Sequence, residues 1–598
     1  MCGWAAIASI WLLVLVLPLT PWSAGADPGV PLRLVVLGVG LAFGLVWVLR
    51  NPDGQARIDP MVMWAGIAGL GVVAICAVAS VTPVLGLLGR YPRYEGLPML
   101  AGYGAVVCLG SRLIGGTSPA RRGHALAALA VLEIVLAVWA ATETLSDATE
   151  RITTAVGNAS DAGVVAVVGF AILIWFAAHE SHWLLWTGAA SAAVLIGLTA
   201  SRGTWLAAAA VVAVGIIIVL IQRRVRVSWP VVFVPLAGVV AMVLTPLARS
   251  RGSGSSPLAE QTVSGRLLLW RETLDLWKDH LWLGVGPSRF VDEIGAYHSA
   301  EWASAIGPDA PPDSPHDVIL QVAASCGLLG LAVAVVFAAC LLRTLWRRRA
   351  DEWTPACFLG LGGALVCYGF HFTDLWNIVP LLFLTGSVLT TGTVPIGTGK
   401  PRFKRKSVWL YAVVAVVAFA SGVQAMVTEA MVITSLSNLK TGRSEALSSL
   451  REAVRLKPQD PDLAWRAGHA LTVLAGSDLA PADAAVDMLS AACSRLPSST
   501  ECLNDLGLAQ LRANDPIAAD ATLTQALTHD PVNITTFLLL ASAQDGLGDQ
   551  SSAEATLLHA SDLRPSDPDP WGNLAILYND QGRTADAEAA QARADELS

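Results

Sequence analysis

The chain has 598 residues, of which 54% are hydrophobic and 14% charged. Soluble proteins carry roughly 25% charged residues, so this composition excludes an ordinary soluble protein and predicts an integral membrane protein. The formal net charge of −8 hides an uneven distribution: bases cluster between apolar runs, and acids collect in a few loops and the C-terminal part. There is no sustained basic stripe of the kind that binds nucleic acid.

A helix needs about 20 apolar residues to cross the hydrocarbon. Thirteen stretches are candidates, at about 4–20, 31–49, 61–82, 97–114, 123–142, 162–178, 183–200, 203–222, 229–247, 318–342, 354–371, 376–393 and 407–426. The first is read as a retained helix, because the basic segment that opens a cleaved leader is missing. The connections between spans, numbered in order, separate by charge. The even ones hold Arg50 and Arg57; Arg112, Arg121 and Arg122; Arg223, Arg224 and Arg226; Arg343 and Arg347 to Arg349; and Lys400, Arg402 and Lys404 to Lys406. Basic loops stay cytoplasmic, so the odd connections and everything after the thirteenth span are expected outside. The reading is therefore all-α: a polytopic bundle over 1–426 with a large outer loop at 248–317, then a second domain over 427–598.

The polar features without an evident structural role gather on the outer side. "GRYPRYEG" (89–96) carries Arg90 and Arg93, and "SRG" (201–203) carries Arg202. In the long loop, 262–282 places apolar residues at 263, 267, 270, 274, 277 and 281, one stripe of an amphipathic helix. That helix either packs on the bundle or lies on the lipid surface with Trp270 and Trp277 as anchors. Either way Arg266 is held near the membrane. The loop ends at "PPDSPHD", where His316 and Asp317 precede the apolar run from Val318. A single outer arginine is explained by snorkelling or surface charge. Arg90, Arg93, Arg202 and Arg266 together, against the positive-inside bias, point to an anionic ligand, and guanidinium forks fit phosphate oxygens. His316 could accept a hydroxyl proton near neutral pH. Asp317 could orient it, or cap the helix that starts at Val318. "HFTDL" adds His371 and Asp374, as part of an acceptor site or as a helix end.

In the tail, Pro497, Pro531 and Pro565 recur at 34-residue intervals, the tetratricopeptide period. Trp571, Leu574, Ala575, Tyr578, Gly582 and Ala587 hold the expected offsets in the last unit. Such arrays form a concave surface for a protein or peptide partner; the plain alternative is a spacer. Of the nine cysteines, none shows metal-ligand spacing. Cys493 and Cys502 flank the junction of two repeats and could pair in an oxidising space. "NAS" (158–160) and "NIT" (533–535) match the glycosylation pattern, which is common by chance.

Three motifs, "SRGTWLA" (201–207), "GRLLLW…LWLGVGPSRF" (265–290) and "SPHDVILQVAASCGLLGLA" (314–332), resemble in order and setting the O-antigen ligase/polymerase superfamily of membrane glycosyltransferases. The resemblance covers about 60–395, and tetratricopeptide tails occur in some branches. It implies an enzyme that transfers a glycan from a polyprenyl-diphosphate-linked donor to a glycan, lipid or protein acceptor at the outer face of the cytoplasmic membrane, without metal or cofactor. It assigns Arg202 and Arg266 to the diphosphate, His316 to the acceptor as base or positioning group, and Arg93 to substrate with less support. The family often has His-Asn where this chain has His316-Asp317. Two readings of other classes compete: a flippase for lipid-linked glycans, and a scaffold for polysaccharide assembly whose active part is the repeat tail.

Overall fold

A computed structural model describes all residues except 1–2, 21–28, 52–57, 116–118, 148–149, 181, 223–228, 254–256, 307–311, 391–404 and 444. The basic residues Arg57, Arg223, Arg224, Arg226, Lys400, Arg402 and Lys404 thus lie outside the described residues. Those described are helical, with one isolated bridge between Ile58 and Thr390. Each of the thirteen apolar stretches carries a helix. Seven are long and apolar enough to cross a membrane. Pro230–Leu244 meets Pro246–Gly252 at a 95° bend, the form of a broken span or a re-entrant loop. Five are shorter apolar helices: Gly3–Val16, Leu97–Leu113, Trp183–Leu198, Trp353–Tyr368 and Leu375–Gly386.

Contacts between connections sort them into two ends. At one end Arg33, fully buried, donates to the Ala155 carbonyl and lies over the Trp376 ring. There too Thr373 bonds Glu95, and Trp270 bonds the Pro315 carbonyl at 2.8 Å. At the other end Asp59 meets Thr344 and Arg343, and Arg122 meets Asp351. All the odd connections named here fall at the first end and all the even ones at the second.

The helix Val318–Arg347 is not continuous. Gly327 sits at φ 58°, ψ −155°, a region open to glycine and costly for other residues. The break frees backbone groups that the segment 281–286 takes up. Val285 and Gly286 donate to the carbonyls of Ala324 and Ser325, while Leu328 and Leu329 donate to those of Leu281 and Trp282. A Cβ at Gly327 would collide with the Trp282 carbonyl group. The turn "LWLGVG" is therefore inserted into a membrane helix and ties the outer loop to it.

The loop helix Pro257–Asp279 buries Leu268, Leu269 and Leu276 against Val285, Phe290, Ile294 and Trp302. The stripe expected from the sequence is a different face: Val263, Leu267, Leu274 and Leu281 of that stripe are exposed, and Trp270 packs inward on Phe370 and Pro315. Trp270 is thus a packing residue rather than a lipid anchor.

The last apolar helix, Arg405–Lys440, runs 36 residues without interruption, so no break in the chain falls at residue 427. At 1.5 Å per residue it is roughly 54 Å long, more than the hydrocarbon requires. It carries the chain directly into stacked helical hairpins. Their period is visible in the turns. Asn514, Gly548 and Gly582 all have left-handed φ (60°, 80° and 73°), and Ser499 and Asn533 both cap a first helix. Cys493 and Cys502 form a disulfide across adjacent hairpins, with Cα atoms 5.6 Å apart. Both glycosylation triplets are absorbed by structure, since Asn158 bonds Asp161 and Asn533 is a buried cap.

The hairpins dock on the first end of the bundle. Arg90, buried, pairs with Asp462 of the repeats at 2.8 Å and with Asp292 of the outer loop at 2.5 Å. Tyr94 donates to Asp460 and accepts from Lys457, and Arg466 lies over the Tyr91 ring. Arg289 reaches Ser498, and His298 reaches Asp530. Desolvated ion pairs of this kind hold register well and are costly to break on one side.

Candidate functional site

A cavity of about 400 Å³ opens at the same end, within the usual range of small-molecule sites, about 300–1,000 Å³. The bent pair Pro230–Leu244 and Pro246–Gly252, the start of Arg202–Gln222, the loop helix and the segment before Ala159–Glu180 bring four guanidinium groups to its wall: Arg151, Arg202, Arg251 and Arg266. Trp270, Phe370, Cys367 and His371 are also among its lining residues. Two of the arginines were legible as outer-face cations. Arg151 and Arg251 were not, because neither stands in a recognisable motif.

Each arginine is held differently. Arg202 donates from Nε and a terminal nitrogen to the Arg251 carbonyl, at 2.9 and 2.7 Å. Arg251 in turn reaches the Ala200 carbonyl at 3.4 Å, and Ala200 itself is left-handed at φ 49°. Arg266 makes no hydrogen bond or ion pair with a described residue; partial desolvation and the charge of Arg251 lower its pKa. Desolvation, then Arg251 and Arg266, push Arg151 down to about 10. Like charges that lower one another in this way favour bound anions.

His316 is placed beside the cavity rather than in its lining. Its backbone is left-handed at φ 51°, its ring lies tilted at 36° to Phe372 with centroids 5.3 Å apart, and its Nδ1 is buried without a partner. Burial first, then the cations Arg266 and Arg93 and the ring of His371 against the pull of Asp313, bring its pKa down to about 4. It is a neutral imidazole at pH 7. Arg93 grips Asp313 through one nitrogen at 2.7 Å and covers the other face of this region, 3.5 Å from the Phe372 centroid.

Two expected ligand-binding residues have other work. Arg90 is committed to Asp292 and Asp462, more than an anion could easily displace. Asp317 caps its helix, accepting from the amides of Ile319 and Leu320 at 2.9 and 2.8 Å, as a carboxylate at that position does. Neither faces the cavity wall. Of the six residues expected at the site, the structure brings Arg202 and Arg266 into the cavity, keeps His316 and Arg93 beside it, and assigns Arg90 and Asp317 to scaffolding.

Behind His371 lies a buried polar network. His371 Nε2 is 2.9 Å from Asp161 Oδ1, which also accepts from Asn377 at 2.5 Å; Asn158 bonds the other oxygen. Tyr368 donates to Asn377. Asp161, His371 and Asp374 bring donor atoms within 4.8 Å of one another, the spacing of a metal site. Both Asp161 oxygens are already engaged with protein donors, so this network reads as the support that orients His371.

Residues 187–335 match the family model described as O-antigen ligase (Wzy_C). That span holds Arg202, Arg251, Arg266, His316 and the turn inserted at Gly327. A comparison with curated proteins finds no match. Among solved structures, MamA MSR-1 is 25% identical over 27% of this chain and 92% of its own, with a TM-score of 0.22. MamA from Desulfovibrio magneticus RS-1 is 22% identical over 29% and 94%, with a TM-score of 0.24. A thermophilic TPR protein of Thermus thermophilus is 22% identical over 29% and 91%, with a TM-score of 0.24. The family match over 187–335 supports glycan transfer at a membrane as a general function.

Proposed function

We propose that this protein transfers a glycan from a polyprenyl-diphosphate carrier to an acceptor hydroxyl on the outer face of the cytoplasmic membrane, inverting the anomeric centre. The observation that carries the reading is the arginine-walled cavity at the end of the bundle that also bears the repeats. A diphosphate diester carries a charge on each phosphate and gains more as the anomeric C–O bond breaks. Guanidinium groups fixed in advance stabilise that growing charge without reorganisation, which is often the largest single contribution to catalysis. Arg266, with no hydrogen-bond or ion-pair partner among the described residues, has donors to offer.

The neutral imidazole of His316 is the acceptor-side base. In the empty site its conjugate acid is opposed by Arg266 and Arg93. A diphosphate on Arg266 offsets that cation, so donor binding itself makes His316 more basic. The acceptor oxygen then attacks the anomeric carbon, its proton passes to the imidazole, and the lipid diphosphate leaves with the bond pair. Such a base contributes about 10²–10⁴-fold.

Purified full-length chain with a lipid-linked glycan and candidate acceptors tests the proposal. Arg266→Ala should lower donor affinity and turnover together, and Arg266→Lys should recover only part, because lysine lacks the planar fork. Normal transfer by a folded Arg266→Ala protein would overturn it. A flippase would move the lipid between leaflets and leave the glycosidic bond intact.

A further inference from the structure

The cavity carries more positive charge than the proposed donor can neutralise. Four guanidinium groups line it and no carboxylate does, among the described residues. Among the described residues, Asp161 is engaged with His371, Asn377 and Asn158, and Asp313 with Arg93. Donor groups are unspent as well as charge. Among the described residues, Arg266 bonds none and Arg151 bonds Ser160 alone, at 3.3 Å. Arg202 and Arg251 spend theirs on neutral backbone carbonyls. One diphosphate diester, with a charge on each phosphate, leaves two guanidinium charges uncompensated.

Clustered unpaired cations cost stability, and a protein keeps them where a ligand repays the cost. The charge excess also has a location. Arg202 opens the helix Arg202–Gln222, and Arg266 stands on the loop helix Pro257–Asp279. Arg151 belongs to the connection before Ala159–Glu180, and Arg251 to the short arm beyond the 95° bend. These are the two of the four lining arginines that the donor reading leaves without a role.

We propose that the cavity holds a second anionic group alongside the donor diphosphate, with Arg151 and Arg251 as its ligands. This rests on the reading of Arg202 and Arg266 as the donor's ligands. Two sources supply such a group: a phosphate on the acceptor, as in a phosphorylated or lipid-diphosphate-linked acceptor, or the carboxylate of an acidic sugar near the reducing end of the donor glycan.

Equilibrium binding to the full chain in detergent tests this. The protein is first saturated with a short-chain prenyl diphosphate sugar, whose diphosphate is the same diester, then titrated separately with inorganic pyrophosphate and with glucuronate. The expected result is uptake of a further equivalent of one of them. Pyrophosphate uptake identifies a phosphate-bearing acceptor, and glucuronate uptake identifies an acidic donor sugar. Arg151→Gln and Arg251→Gln should each weaken that second equivalent at least tenfold and leave the first within about threefold. The same variants, without ligand, should melt no lower than the parent, because each removes a repelling charge. No second equivalent in the parent protein overturns the inference, as does a second equivalent indifferent to both variants. Failure of the parent to bind the prenyl diphosphate sugar at all overturns instead the donor reading. Should a variant fail to fold, the count of equivalents in the parent still decides.

Discussion

At the scale of single residues, His316 shows how much of a site's chemistry is set by its neighbours. Its ordinary pKa of 6.5 falls to about 4 in the fold. Between those values the unfolded chain holds a proton that the native one does not. Stability therefore rises with pH across that window and is fully present above about 6.5. It falls as pH drops from about 6.5 and levels off below about 4. The contribution is up to about 3 kcal/mol at the ordinary value of 1.36 kcal/mol per unit. His316→Gln should flatten this limb of the melting-temperature profile; an unchanged limb would assign it to other groups. Catalysis should show the same residue differently. The acid limb of kcat/KM, which reports the free enzyme, should lie lower than the acid limb of kcat, where bound diphosphate has offset Arg266. Both should vanish in the Gln variant. Coincident limbs would separate His316 from the donor site. The sequence made His316 and Arg266 visible through their motifs. It could not show that Asp317 caps a helix rather than holding the imidazole, since both roles ask for the same carboxylate at the same place.

At the scale of elements, the segment 89–96 joins two parts of the molecule. Arg90, Tyr91 and Tyr94 face the repeats, whereas Arg93 reaches Asp313 beside His316 and Glu95 reaches Thr373. Docking of the repeats thereby fixes the loop that carries Arg93. Asp462→Ala would strip Arg90 of one partner in a buried setting, a change that typically costs about 3–5 kcal/mol. It should loosen the array, seen as faster proteolysis between 440 and 460, and lower glycan transfer at least tenfold. An array that loosens while transfer stays normal would mean that the bundle alone positions Arg93. Periodicity made the helices and the 34-residue repeat legible in advance. The pairing of Arg90 with Asp462 was not, because it spans 372 residues and no local pattern encodes a partner that distant. The break at Gly327 escaped for a related reason. An apolar run with a glycine reads as a helix until something is seen to occupy the gap, and here it is a turn about 40 residues upstream.

At the scale of the whole molecule, contacts separate the bundle into two ends, and the placement of charge predicts which one faces outward. The described basic clusters Arg121, Arg122, Arg343 and Arg348 lie at the end opposite the cavity and the repeats, and the latter carry a disulfide. Disulfides persist outside the reducing cytoplasm. A reporter active only in exported space, fused after residue 440, should therefore be active. Inactivity there, with a cytoplasmic reporter active at the same junction, would reverse the orientation and remove the outer-face mechanism. Composition and the placement of basic residues made this orientation expected. They could not show which of the apolar helices cross the membrane fully, because five of them are too short for length alone to decide.

The ion pairs that seat the repeats on the bundle have an evolutionary consequence. Repeat tails are usually regarded as interchangeable attachments, joined to an enzyme by a linker and free to be traded for another. Here Arg405–Lys440 enters the first hairpin without a linker, and Asp460, Asp462, Ser498 and Asp530 meet partners on 90–94 and 289–298. A tail grafted from elsewhere would leave Arg90 and Arg289 buried beside the wrong surface. Recombination that preserves function must therefore move the tail together with those two outer segments, so the array and the loops it touches are inherited as one unit.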